Sequence, residues 1–118
     1  VDRITVSQGD LAVTVTAATA LVGMRRTRLK LEARQADEQD IDRRWLRELT
    51  YPDLVAAVVD AQGFPEWPIG FKEFLELPDS FVVKWEGAVY DLNSHWLPVR
   101  DEDTEKKADV PPTSSIDA

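Results

Sequence analysis

Few side chains in this sequence are equipped for chemistry. His95 is the only imidazole, and near neutral pH an imidazole is the natural general base. Ser94 and Asp91 stand close to it in the chain, but a nucleophile, a base and an orienting carboxylate must converge in space, which adjacency does not provide. Asn93-Ser94-His95-Trp96 reads instead as the end of a helix that docks Trp96 on the body of the domain. Acidic groupings such as Glu73 with Glu76, and Asp37 with Asp40 and Asp42, match neither a calcium loop nor a glycosidase pair. They read as solvated helix faces. The absence of cysteine excludes a disulfide, a thiolate nucleophile and a cysteine-ligated zinc, and one histidine excludes any site built on two imidazoles. The five glycines are scattered and form no phosphate-cradling loop. The expectation is a protein without catalytic residues, metal or cofactor.

Binding chemistry is better represented. Arg25-Arg26-Thr27-Arg28-Leu29-Lys30 puts four cations in six positions of an otherwise acidic chain. Such a run suits phosphate contact, but no helix-turn-helix, zinc finger or stacking platform accompanies it. The preferred reading is an exposed helix face that pairs with the chain's own acids or with a protein partner. Of the four tryptophans, Trp45 and Trp85 fall on apolar stripes and read as core. Trp67 and Trp96 lie in or beside Pro-flanked loops, where Trp serves as an interface anchor. Arg25, Arg26, Arg28, Trp67 and Trp96 are therefore the candidate partner-binding residues.

The charge balance narrows the partners. The 14 basic against 22 acidic residues give a net charge of -8, which opposes attraction to duplex DNA or anionic lipid. The balance is +3 over residues 1–36, -8 over 37–98 and -3 over 99–118. No apolar run reaches the roughly 18 residues of a membrane span, and the first residues lack the pattern of a secretory signal. Residues 99–118 mix acids, lysines, Pro and Ser with few apolar side chains and read as a disordered tail.

The elements that must position these groups are legible from periodicity. Ile4 and Val6, then Leu11, Val13 and Val15, alternate with polar or small residues around Gly9, which predicts a β-hairpin over 3–16. Helical spacing predicts helices over about 17–36, 40–49, 52–62, 70–76 and 79–92. Ala18, Leu21, Val22, Leu29 and Ala33 form one face of the first, flanked by Met24 and Leu31. Ile41, Trp45, Leu46 and Leu49 form that of the second. Leu54, Val55, Val58 and Val59 form that of the third, which Gly63 ends. Phe81, Val82, Trp85, Ala88, Val89 and Leu92 form that of the last. The fold class is α+β, predominantly helical, as one compact domain over 1–98. With little sheet of its own, the hairpin is expected to pack on something else or to pair between chains in a homo-oligomer.

Phe71-Lys72-Glu73-Phe74-Leu75-Glu76-Leu77-Pro78-Asp79, followed by Trp85, Ala88-Val89-Tyr90-Asp91-Leu92-Asn93 and His95-Trp96, resembles the tail assembly chaperones of long-tailed bacteriophages and prophages. The resemblance covers about 30 of the 118 residues, and extends to Tyr51-Pro52-Asp53-Leu54 in looser form. It implies a non-enzymatic protein of the infected bacterial cytoplasm, absent from the finished virion. It also implies the tape measure protein and tail tube subunits as partners, no catalytic residue, and a longer form made by frameshifting near the end of the reading frame.

Overall fold

Alternation decides the first sixteen residues. The structure, a computed structural model, describes residues 1–97; the expected disordered tail lies outside the described residues. Strand β1 (Arg3–Gln8) and strand β2 (Leu11–Thr16) pair antiparallel, with Ile4 opposite Val15 and Val6 opposite Val13. Only Gly9-Asp10 lies between them, and Gly9 takes the positive φ (59°) that a two-residue hairpin loop demands. The hairpin does not stay two-stranded. Strand β3 (Val58–Gln62) pairs antiparallel with β2, giving the order β1-β2-β3. Ile4, Val6, Val13, Val15, Val58 and Ala61 thereby share one face, while Thr5, Thr14 and Asp60 share the other, where the Thr5 and Thr14 hydroxyls bond at 2.8 Å.

Helix α1 (Ala20–Gln35) starts three residues later than expected because Thr19 caps it, accepting from the Val22 N–H. Val22, Leu29 and Ala33 face inward, but Leu21, Met24 and Leu31 are exposed. Helix α2 (Ile41–Trp45) is capped by Asp40 and runs through a π-helical turn (Leu46–Thr50) into helix α3 (Tyr51–Ala56). The expected 40–49 stripe does not survive this turn. Wider winding shifts the phase of the apolar positions, leaving Leu46 and Leu49 half-buried and Ile41 and Trp45 80% and 59% exposed. Trp45 is thus a surface residue, not core.

The helix expected over 52–62 is two elements: α3 stops at Ala56 and β3 begins at Val58. Val58 and Val59 suit a strand as well as a helical stripe, and the open edge of β2 settles the matter by offering a ladder. The register slips by one residue between Thr14 and Val15, so Val59 is the extra residue of a β-bulge. Gly63 closes the strand with φ 86° beside the hairpin turn, where a Cβ would collide with the Asp10 carbonyl.

Helix α4 (Phe71–Leu75), helix α5 (Asp79–Leu92) and a 3₁₀ turn (Ser94–Trp96) complete the elements among the described residues. Helix α5 lies across the apolar face of β1 and β2, burying Phe81, Trp85 and Val89 against Val13, Val15, Leu54 and Phe74. At its end Asn93 is fully buried. Its side-chain oxygen accepts from Ala18 N–H (2.7 Å), and its amide donates to the Thr16 and Val89 carbonyls (3.1 Å each). Every polar atom of that side chain is engaged, which fastens the exit of β2 to the end of α5. At the other end of the sheet Gln8 bonds Ser80 and Lys84 of α5.

Candidate functional site

A buried carboxylate organises the cations of α1. Asp53, 1% exposed on the first turn of α3, accepts Arg26 Nε at 2.5 Å and the Tyr90 hydroxyl at 2.6 Å, with Lys30 Nζ at 3.6 Å. Such a charge is tolerated in the interior only when paired and hydrogen-bonded. Lys30 also donates to the Glu48 carbonyl at 3.2 Å. In an unbroken α-helix that carbonyl would accept from residue 52, and Pro52 has no N–H. The Arg26 guanidinium stacks 4.7 Å from the centroid of Trp96. Burial pushes the Lys30 ammonium below its ordinary value, opposed by the Asp53 charge. Burial, and then the bond to Asp53, push the Tyr90 hydroxyl well above its own. This knot joins α1, α3, α5 and the 3₁₀ turn.

The remaining cations of the run point elsewhere. Positions 26 and 30 share one helix face, whereas 25 and 28 share another. Arg25, Arg28 and Leu29 of α1, Val55 and Ala56 of α3, strand β3, and Trp67 and Pro68 together line a groove of about 620 Å³. That volume lies within the roughly 300–1,000 Å³ of ligand-sized clefts. Four successive residues of β3, Val58, Val59, Asp60 and Ala61, line it. Successive strand side chains alternate between faces, so the groove follows the edge of the strand. Among the described residues no strand pairs with that edge. The bulge turns Val59 outward, 41% exposed.

Trp67 is 37% exposed and held from behind, its ring 5.2 Å from Phe64 and 6.2 Å from the buried Trp85. Tyr51 steadies the same loop: its hydroxyl donates to the Ile69 carbonyl and its ring meets Phe71 and Phe74 edge to face. Arg28 has one long, solvent-exposed pair with Glu32 at 3.8 Å, and Arg25 has no ion pair among the described residues. Asp60 supplies the single carboxylate of the lining.

Of the five expected partner-binding residues, Arg25, Arg28 and Trp67 come together at this groove. Arg26 and Trp96 do not. Trp96 is 6% exposed beneath Arg26 and serves the core. Sequence reasoning missed Asp53, whose signal was an acid wedged between Pro52 and the buried Leu54 and Val55. It also missed Val59 and Asp60, assigned to a helix. His95 is exposed on the 3₁₀ turn, and among the described residues no hydrogen bond joins it to Ser94 or Asp91. The described residues contain no group of three or more acidic or histidine side chains placed to hold a metal ion, and no helix long and apolar enough to cross a membrane. No family model matches the chain, nor does any curated protein sequence or solved structure. The arrangement suits capture of another chain: two guanidinium groups and an indole beside an unpaired strand edge.

Proposed function

We propose that this chain is a non-enzymatic tail assembly chaperone of a long-tailed phage or prophage, acting in the bacterial cytoplasm on the tape measure protein and helping to recruit tail tube subunits. The resemblance over Phe71-Lys72-Glu73-Phe74-Leu75-Glu76-Leu77-Pro78-Asp79 and Val89-Tyr90-Asp91-Leu92-Asn93 brings the reading. The observation that carries it is the groove, which joins Arg25, Arg28 and Trp67 to the free edge of β3. A chaperone must hold a client reversibly, and an open groove with an aromatic anchor suits that.

The test is co-expression with the tape measure gene of the same locus, followed by pull-down and a solubility assay of the long protein. Co-purification with rescued solubility is the expected result. Failure of both, with both proteins folded, refutes the reading. A regulatory protein that binds nucleic acid through residues 25–30 is the second reading. It is weakened because Arg26 and Lys30 are committed to Asp53; the two cations left outward predict only feeble, steeply salt-dependent binding.

A further inference from the structure

The groove has a shape and a charge that specify more than "partner". Resting on the reading of the chain as a protein-binding module, we infer that the cleft between α1 and β3 takes an extended acidic and apolar segment of a partner protein. The segment lies along the free edge of β3, with a carboxylate on Arg25 and Arg28 and an apolar side chain against Trp67 and Val59.

Three observations carry this. The first is the edge: four successive residues of β3 line the groove, and its outer backbone groups have no strand partner among the described residues. An edge of this kind accepts an added strand through main-chain hydrogen bonds, while alternate side chains supply specificity. The second is charge. Among the described residues Arg25 has no ion pair and Arg28 only an exposed one at 3.8 Å, so their forks can close on a carboxylate. The chain is otherwise acidic, with a net charge of -8, which repels an acidic segment from most of the body and favours its arrival where the two guanidinium groups stand. The third is the bulge. It breaks the edge at Val59 and leaves a short usable ladder, so indiscriminate strand pairing is discouraged. The side chains of Arg25, Arg28, Trp67 and Val59 must then supply the selectivity.

The test is an amide-resolved NMR titration of the full chain with two blocked hexapeptides, one alternating Val and Glu, the other Val and Lys. The Val-Glu peptide is expected to shift the amides of β3 at Val59, Asp60 and Ala61 and to protect those that point away from β2, and the Val-Lys peptide to leave them unchanged. Arg25→Glu with Arg28→Glu is expected to weaken binding about tenfold, the effect of two partly exposed ion pairs; Arg25→Gln alone weakens it less. Thermal unfolding of both variants near the parent's temperature confirms that the fold is kept. Equal binding of the two peptides, or shifts confined to β1, overturns the proposal. Concentration-dependent shifts of β3 without peptide make the occupant a second copy and overturn it too. So does binding that emerges only after Asp101, Glu102, Asp103 and Glu105 are replaced by their amides, which makes the occupant the chain's own acidic stretch. Because the titration needs no client, its failure beside intact tape measure co-purification refutes the groove alone. Peptide binding without client capture refutes the chaperone and leaves the groove.

Discussion

Replacing Asp53 by Ala tests whether the internal knot is what turns Arg26 and Lys30 inward. The substitution removes the acceptor of the Arg26 and Tyr90 hydrogen bonds and the counter-charge of Lys30. Breaking a buried pair by deleting one partner costs about 3–5 kcal/mol, because the remaining charge is stranded. Here Arg26 and Lys30 keep 25% and 20% of their side-chain surface accessible to water, so each rehydrates in part, and the lower end, about 3 kcal/mol, applies. For a domain of this size that is a fall in Tm of roughly 12–24 °C. Asp53→Asn keeps an acceptor for Tyr90 but loses the charge and turns an NH2 toward Arg26, so it is expected to recover only part of that cost. The assay is urea unfolding followed by circular dichroism for the parent, Asp53→Ala, Arg26→Met and the double variant. A positive coupling of about 1–3 kcal/mol between the two sites is expected, since they share one network. An Asp53→Ala chain within about 0.5 kcal/mol of the parent, or strictly additive changes, would refute the reasoning.

Gly63→Ala is expected to cost at least about 3 kcal/mol, since positive φ and the Asp10 carbonyl both oppose a Cβ there. Gly9→Ala, with positive φ but open space around it, is expected to cost only about 1 kcal/mol; equal losses in denaturant titrations would show that the close approach is not real. Asn93→Ala strands the Ala18 N–H and the Thr16 carbonyl and is expected to lose about 2–4 kcal/mol in the same titration, with Asn93→Asp no better because two donations are lost. Burial first, and the Asp79 charge second, raise the Glu86 carboxyl above its ordinary value of 4.5. The folded chain therefore keeps a proton that the unfolded chain has released, and the group's contribution, full below about pH 4.5, is lost as pH rises through the folded value. Glu86→Gln is expected to raise Tm relative to the parent at pH 7 but not at pH 4; a gain that is the same at both values contradicts the assignment.

How much was legible follows from which forces act locally. The hairpin and α5 announce themselves because one residue in two, or one stripe per turn, must be apolar to bury a face. The third strand was hidden because Val59 bulges out, which breaks the alternation just where two valines also continue a helical stripe. Trp45 looked like core only on the assumption of one unbroken helix; the π turn beside Pro52 rotates it to the surface. The cations at 25, 26, 28 and 30 read as one cluster along the chain, yet helical geometry separates 26 and 30 from 25 and 28. What no periodicity encodes is that Asp53 waits inside for the first pair. The groove was half legible: Arg25, Arg28 and Trp67 were singled out separately, but the strand edge that joins them exists only once β3 has formed.

The fastenings at Gln8 and Asn93 also set an order of events during synthesis. The hairpin closes on itself within microseconds, but its apolar face is covered by α5, and Gln8 meets Ser80 at a separation of 72 residues. A ribosome adding about 5–20 residues per second needs roughly 4–14 s to make that stretch. Over that interval Ile4, Val6, Val13 and Val15 form an apolar surface that α3 and β3 meet first and that lacks its cover from α5 until the end. The last step, Asn93 closing on Ala18 and Thr16 across separations of 75 and 77 residues, then acts as a latch: a nascent chain stopped before it carries a sheet on which α5 lies without being fastened at its end, and a chain that passes it does not.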